Sequence, residues 1–91
     1  MDEEELYSLL SFLRGSKNRK KIILFLNEKD EPQTPTDIAD ETKIHRNHVS
    51  NQLSKMKDKK LVEVLNPDSP RHRYYKLTEK GEKLSTKLEN S

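Results

Sequence analysis

Four leucines near the start of the chain, Leu6, Leu9, Leu10 and Leu13, recur at i, i+3, i+4 and i+7. Residues three and four apart lie side by side on a helix, so this spacing predicts a helix with one apolar face. Gly15 is placed to end it and Ser16 to cap the next one. The following segment, "KNRKKIILFLNEK", holds an apolar run, Ile22 to Leu26, that suits a strand or a helix. Its length and the Ser16 cap favour a helix. "TPTDIADETK" carries a start signal of its own. Thr34 can act as N-cap, Pro35 fits the first helical position, and Asp37 stands three residues after Thr34, as in a capping box. Ile38, Ala39 and Thr42 then form the inner side of a short helix.

After Lys43 the helical pattern restarts. Ile44 anchors a turn, and Val49, Leu53 and Met56 sit at i, i+4 and i+7. These three cluster within about 60° of arc on a helix. Asn47, Asn51 and Ser54 therefore point away from the buried side. Arg46 and Ser50 flank that outer face on one side, His48 and Lys55 on the other. His45 falls in the first turn, near the edge of the buried stripe. Then the period changes to alternation: "LVEVL" (Leu61 to Leu65) and "RYYKLT" (Arg73 to Thr78) read as two strands. The Pro-, Asn- and Asp-bearing "NPDSPRH" between them is a loop. A last helix follows Thr78, with Leu84 and Leu88 on one face.

The predicted order is helix, helix, short helix, turn, helix, hairpin, helix. Two helices joined by a few residues, with the small Ala39 where they cross, follow helix-turn-helix logic. A hairpin directly afterwards is a wing. The fold class is mainly α with a small β-hairpin, a winged helix-turn-helix DNA-binding domain. Residues 16–78 form its core, with an N-terminal helix at 1–15 available for dimer contact and a C-terminal helix at 79–91.

Composition sharpens this picture. The 91 residues suit one small domain, and Leu, Ile, Val and Phe total 21 of them. The core must be thin. Cysteine is absent, which excludes disulfides, thiolate nucleophiles and Cys-based metal sites. The apolar run Ile22 to Leu26 is far too short to span a membrane. The acidic start "MDEEEL" is unlike a signal peptide, so a cytoplasmic protein is expected. Net charge is only +2, but it is unevenly placed. Residues 16–27 carry +4 and 43–60 carry +5, while 1–15 carry −3 and 28–42 carry −5. Basic blocks of this kind can form a cationic face for a polyanion.

The stretch "TPTDIADETKIHRNHVSNQLSKMKDKKLVEVLNP…RYYKLTEKG" resembles the archaeal winged helix-turn-helix transcriptional regulators, related to the ArsR and MarR types. The resemblance covers roughly Ser16 to Leu84. It implies that a recognition helix at about 45–59 enters the DNA major groove, and that a wing at about 66–73 meets the backbone or minor groove. Lys43 and Lys60 stand where such proteins often have glycine. A lysine there can still adopt a left-handed backbone, at a cost of about 1 kcal/mol, and adds positive charge.

The side chains on the outer face fit that role. Asn47 and Asn51 could pair with adenine and Arg46 with guanine, while Ser50 and His48 could meet a base or a phosphate. Lys55, and behind it Lys57, Lys59 and Lys60, suit phosphates. Arg71 and Arg73 add two cations on the wing. Any surface helix is polar outside, but Ile44 to Met56 contain no Asp or Glu in a chain otherwise rich in both.

Competing chemistry is weaker. His45 and His48 stand three apart and could share a metal ion, but zinc needs three or four ligands. Nothing brings His72 to them, so no metal and no cofactor is expected. With only Gly15 and Gly81, there is no phosphate-binding glycine loop, and no nucleophile motif is present. The chain is not expected to be an enzyme. The rival reading is a winged-helix module for protein–protein contact without specific DNA binding. One winged helix reads few base pairs, so a homodimer on double-stranded DNA is expected. Leu6, Leu9, Leu10, Leu13, Leu84 and Leu88 either build its interface or cover the core of one chain. No small-molecule effector is specified by these residues.

Overall fold

A computed structural model describes residues 1–69 and 71–90. Pro70, the second proline of the predicted loop, lies outside them. Five helices and one hairpin follow in the predicted order: α1 (Glu3–Arg14), α2 (Lys17–Lys29), α3 (Pro35–Thr42), α4 (Arg46–Asp58), β1 (Val62–Val64), β2 (Tyr75–Leu77) and α5 (Glu79–Glu89).

The helix starts follow the capping residues. Asp2 accepts from the Glu5 amide at 2.8 Å and Ser16 from Arg19 at 3.2 Å. Thr34 and Asp37 form a full capping box, each side chain accepting from the other's backbone N–H at 3.1 Å. These bonds satisfy first-turn amides that have no partner inside the helix. Gly15 does end α1, but with φ −72°, so the helix closes without a left-handed turn. The left-handed residues are Asp30, Lys43, Lys60 and His72. Lys43 (φ 62°) and Lys60 (φ 65°) hold the positions expected to be glycine-like. Their turns demand that conformation, which the surrounding packing imposes on lysine.

The core is one cluster. Leu13, Ile22, Ile23, Ile38, Val49, Leu53, Met56, Leu61 and Leu84 are fully buried. Leu9, Leu10 and Leu88 join them. The leucines of α1 and α5 are therefore spent inside a single chain, with only Leu6 partly exposed.

The strands are shorter than the alternation predicted. β1 and β2 pair antiparallel over three rungs, Val62 with Leu77, Glu63 with Lys76 and Val64 with Tyr75. Leu61 is withdrawn because its N–H closes the end of α4 on the Met56 carbonyl at 2.9 Å. At the other end Asn66 takes over: its side chain accepts from the Tyr74 amide at 2.8 Å and donates to the His72 carbonyl at 3.0 Å. Thr78 leaves the strand to cap α5, accepting from Gly81 N–H at 3.1 Å. A further rung was not foreseen. Gln33 pairs with Tyr75 through two backbone bonds, of 2.9 and 2.8 Å, and so ties the start of α3 to the wing.

The wing and α5 are fastened to the end of α4 at one point. Thr78 donates its N–H to the Leu61 carbonyl at 3.0 Å and its hydroxyl to the Lys60 carbonyl at 2.6 Å. Gly81 packs against the same segment, so closely that a Cβ there would lie 2.1 Å from the Leu61 oxygen. Only glycine permits that approach.

Candidate nucleic-acid interface

α4 is held by its inner face. Val49, Leu53 and Met56 are 0% exposed, against α2, α3 and β1. Burial of these three turns Arg46, Asn47, His48, Ser50, Asn51 and Lys55 to the surface, where all six are exposed. Gln52, between the buried stripe and the flank of His48 and Lys55, is half-buried.

His45 does not border the buried stripe. It is exposed and precedes the helix as N-cap, with Nδ1 accepting from the Asn47 N–H at 3.1 Å. Its ring meets that of His48 edge-on, with centroids 6.0 Å apart. Among the described residues, no group of three or more His, Cys, Asp or Glu is placed to hold a metal ion.

The wing loop folds back on itself. Ser69 Oγ donates to the Arg71 carbonyl, Arg73 Nε donates to the Ser69 carbonyl at 3.3 Å, and Asn66 braces the turn. His72 adopts a left-handed backbone there (φ 54°). Arg71 and Arg73 are both exposed. The ion pairs among the described residues are Lys80–Glu5 and Lys83–Glu79, both away from this surface. The cations of α4 and the wing thus have no acidic partner among the described residues.

Arg46 and Ser50 of α4 share one cleft with Arg71, His72 and Arg73 of the wing and with Thr34 to Thr36 at the start of α3. Its volume is about 590 Å³, and none of its lining residues is acidic. Arg46, Arg71 and Arg73 supply full charges. The arrangement suits a backbone phosphate or a run of them. Asp37, Asp40 and Glu41 of α3 line a separate depression with Glu31, and Asp37 also reaches the α3 start, where its carboxylate accepts from the Thr34 N–H at 3.1 Å.

Of the residues expected from the sequence, the cleft brings together Arg46, Ser50, Arg71 and Arg73. Asn47, His48, Asn51 and Lys55 stand on the remaining outward surface of α4. The contribution of Thr34 to Thr36 was missed. Its signal was present, since the capping box marks a helix start. What brings it beside the wing is the Gln33–Tyr75 rung, which no periodicity announces.

This architecture is that of a winged helix-turn-helix domain: α3 and α4 form the helix-turn-helix, and β1, β2 and their loop form the wing. A family model described as a helix-turn-helix domain matches residues 15–64, and the chain belongs to that family. Solved structures share the fold. Wild-type ZitR of Lactococcus lactis in complex with DNA matches with TM-score 0.68 and 22% identity, over 80% of this chain and 49% of that one. A MepR–DNA complex from S. aureus matches with TM-score 0.72 and 22% identity, over 97% and 73%. A structure described as a MarR family transcription regulator matches with TM-score 0.67 and 24% identity, over 78% and 48%. The chain spans about half to two thirds of the length of the ZitR chains it matches. No match was found among curated proteins. Among the described residues, no helix is long and apolar enough to cross a membrane.

Proposed function

We propose that the chain is a sequence-specific, double-stranded DNA-binding regulator of transcription, non-enzymatic and of MarR-like type. The observation that carries this reading is the acid-free cleft in which α4, the wing and the start of α3 present Arg46, Arg71 and Arg73 together. α4 lies in the major groove, where Asn47 and Asn51 meet adenine edges and Arg46 a guanine. Ser50, His48 and Lys55 complete the contact, and Arg71 and Arg73 hold phosphates of the neighbouring backbone or minor groove. That relatives of the same fold were solved with DNA supports this reading.

The protein acts as a homodimer, because one such helix reads only a few base pairs and two-fold sites double the readout. With the α1 and α5 leucines buried in one chain, the dimer surface uses what α1 leaves outside. Tyr7 is 66% exposed and Met1 53%. A shallow groove lined by Met1, Leu6, Lys83 and Thr86 runs between α1 and α5 beside them. Regulation is by occupancy of a promoter-proximal site.

Selection of bound duplexes from random DNA, with the parent chain and with Asn51→Ala, tests the reading. The parent should enrich one motif, and Asn51→Ala should lose preference at one position of it. Recovery of no motif by the parent would hand the fold to a protein–protein role.

A further inference from the structure

One polar cluster lies outside the cationic cleft. Arg19, in the first turn of α2, is half-buried between α1 and α4. Its Nε donates to Gln52 Oε1 of α4 at 2.8 Å. Its Nη1 donates to the carbonyl of Phe12, in the last turn of α1. The guanidinium carbon stands 3.9 Å from the centroid of the Phe12 ring, and Lys59, just past α4, lies 5.5 Å from the same ring.

Each contact has a reason. The carbonyls of the last helical turn have no partner in their own helix, and they form the negative end of its dipole, which favours a cation. The flat guanidinium face matches the electron-rich face of Phe12. Two edges of the plane remain, and each donates to a different helix. Burial lowers the Arg19 pKa from its ordinary value, and a guanidinium stays charged regardless. A lysine, with one ammonium, cannot stack on Phe12 and also donate in two fixed directions.

The position matters because α1 otherwise packs on α2 and α5, and α4 on α2, α3 and β1. The Arg19 cluster spans from α1 to α4 across α2. Gln52 stands one residue from Asn51, on the half-buried border of the face that carries His48 and Lys55.

We infer that Arg19 is a positioning residue that fixes the rotation of α4 against α1 through Gln52, and so governs base discrimination by α4 without itself touching DNA. The inference rests on the DNA-binding reading above. It separates Arg19 from the other cations of this basic chain. Arg46, Arg71 and Arg73 are proposed to supply charge to phosphates; Arg19 supplies orientation.

The test uses Arg19→Lys, which keeps the charge and loses the fork, and Gln52→Met, which keeps the side-chain length and loses the acceptor. Binding to the selected duplex and to a scrambled duplex is measured across a salt series, with thermal unfolding in parallel. Each variant should lower the ratio of the two affinities about tenfold, the size of one well-formed base contact, and leave the salt slope unchanged. The double variant should be no worse than Arg19→Lys alone. An unchanged ratio would overturn the inference. So would equal loss on both duplexes with a salt slope lower by about 0.9, which would make Arg19 a phosphate contact. If Arg19→Lys does not fold, Gln52→Met, which retains the Arg19–Phe12 contacts, decides alone. Should the parent bind no duplex, the DNA reading fails separately, and amide exchange within α4 then decides. Faster exchange there in Gln52→Met, at unchanged global stability, upholds the positioning role, and equal exchange rejects it.

Discussion

Two residues show how tightly the scaffold under the proposed DNA face is built. Gly81 lets α5 touch the Leu61 carbonyl, where an added Cβ would stand 2.1 Å from a backbone oxygen. Backbone cannot swing aside as a side chain can. Gly81→Ala should therefore cost about 3 kcal/mol or more, the upper end for overpacking, as read by chemical unfolding. Ser85 is the opposite case. It is fully buried in α5, and its hydroxyl has no hydrogen-bond partner among the described residues. A desolvated, unpaired hydroxyl is a cost that its removal relieves. Ser85→Ala should raise stability by about 1 kcal/mol. Neither role could be read from the sequence. A glycine three residues after a capping Thr and a serine beside Leu84 look ordinary until α5 is seen against the end of α4.

At the scale of elements, local chemistry written in adjacent residues was legible. Ser16, Thr34 with Asp37, and Thr78 each start a helix as their hydroxyls predict. Val49, Leu53 and Met56 bury the side of α4 that their spacing chose, and this exposes all six expected contact residues of α4. The left-handed turns at Lys43 and Lys60 also appear where glycine would normally stand. Lys60→Gly should then stabilise the fold. It removes about 1–2 kcal/mol of backbone strain and returns part of that as freedom in the unfolded chain, for a net gain of roughly 0.5–1 kcal/mol in unfolding free energy, read as a higher midpoint of thermal unfolding. Features that depend on distant partners were not legible. The strands shortened because Leu61, Asn66 and Thr78 found other bonds. The Gln33–Tyr75 rung, which sets α3 beside the wing, joins residues 42 apart and leaves no periodic trace.

The whole molecule resolves the charge pattern of the chain. Alternating basic and acidic blocks become two regions: a cationic cleft with Arg46, Arg71 and Arg73, and an acidic depression with Asp37, Asp40 and Glu41. Such separation steers a polyanion to one side and repels it from the other. The whole molecule also redirects the proposed dimer. The leucine stripes are buried in the core of one chain, so the surface proposed for a second copy is Tyr7 and the α1–α5 groove. Tyr7→Glu should shift sedimentation towards the mass of a single chain while leaving the fold intact, whereas Leu10→Glu should unfold it.

α4 and the wing are proposed to form one phosphate-binding, base-reading surface. Its most direct test is the salt dependence of duplex affinity. Each neutralised phosphate adds about 0.9 to the magnitude of the slope of log affinity against log salt. The parent should show a steep slope, and Arg71→Ala with Arg73→Ala a slope shallower by about 2, with the preferred motif retained. Affinity for duplex DNA that does not change with salt, or a slope untouched by removing both wing arginines, would contradict the proposal.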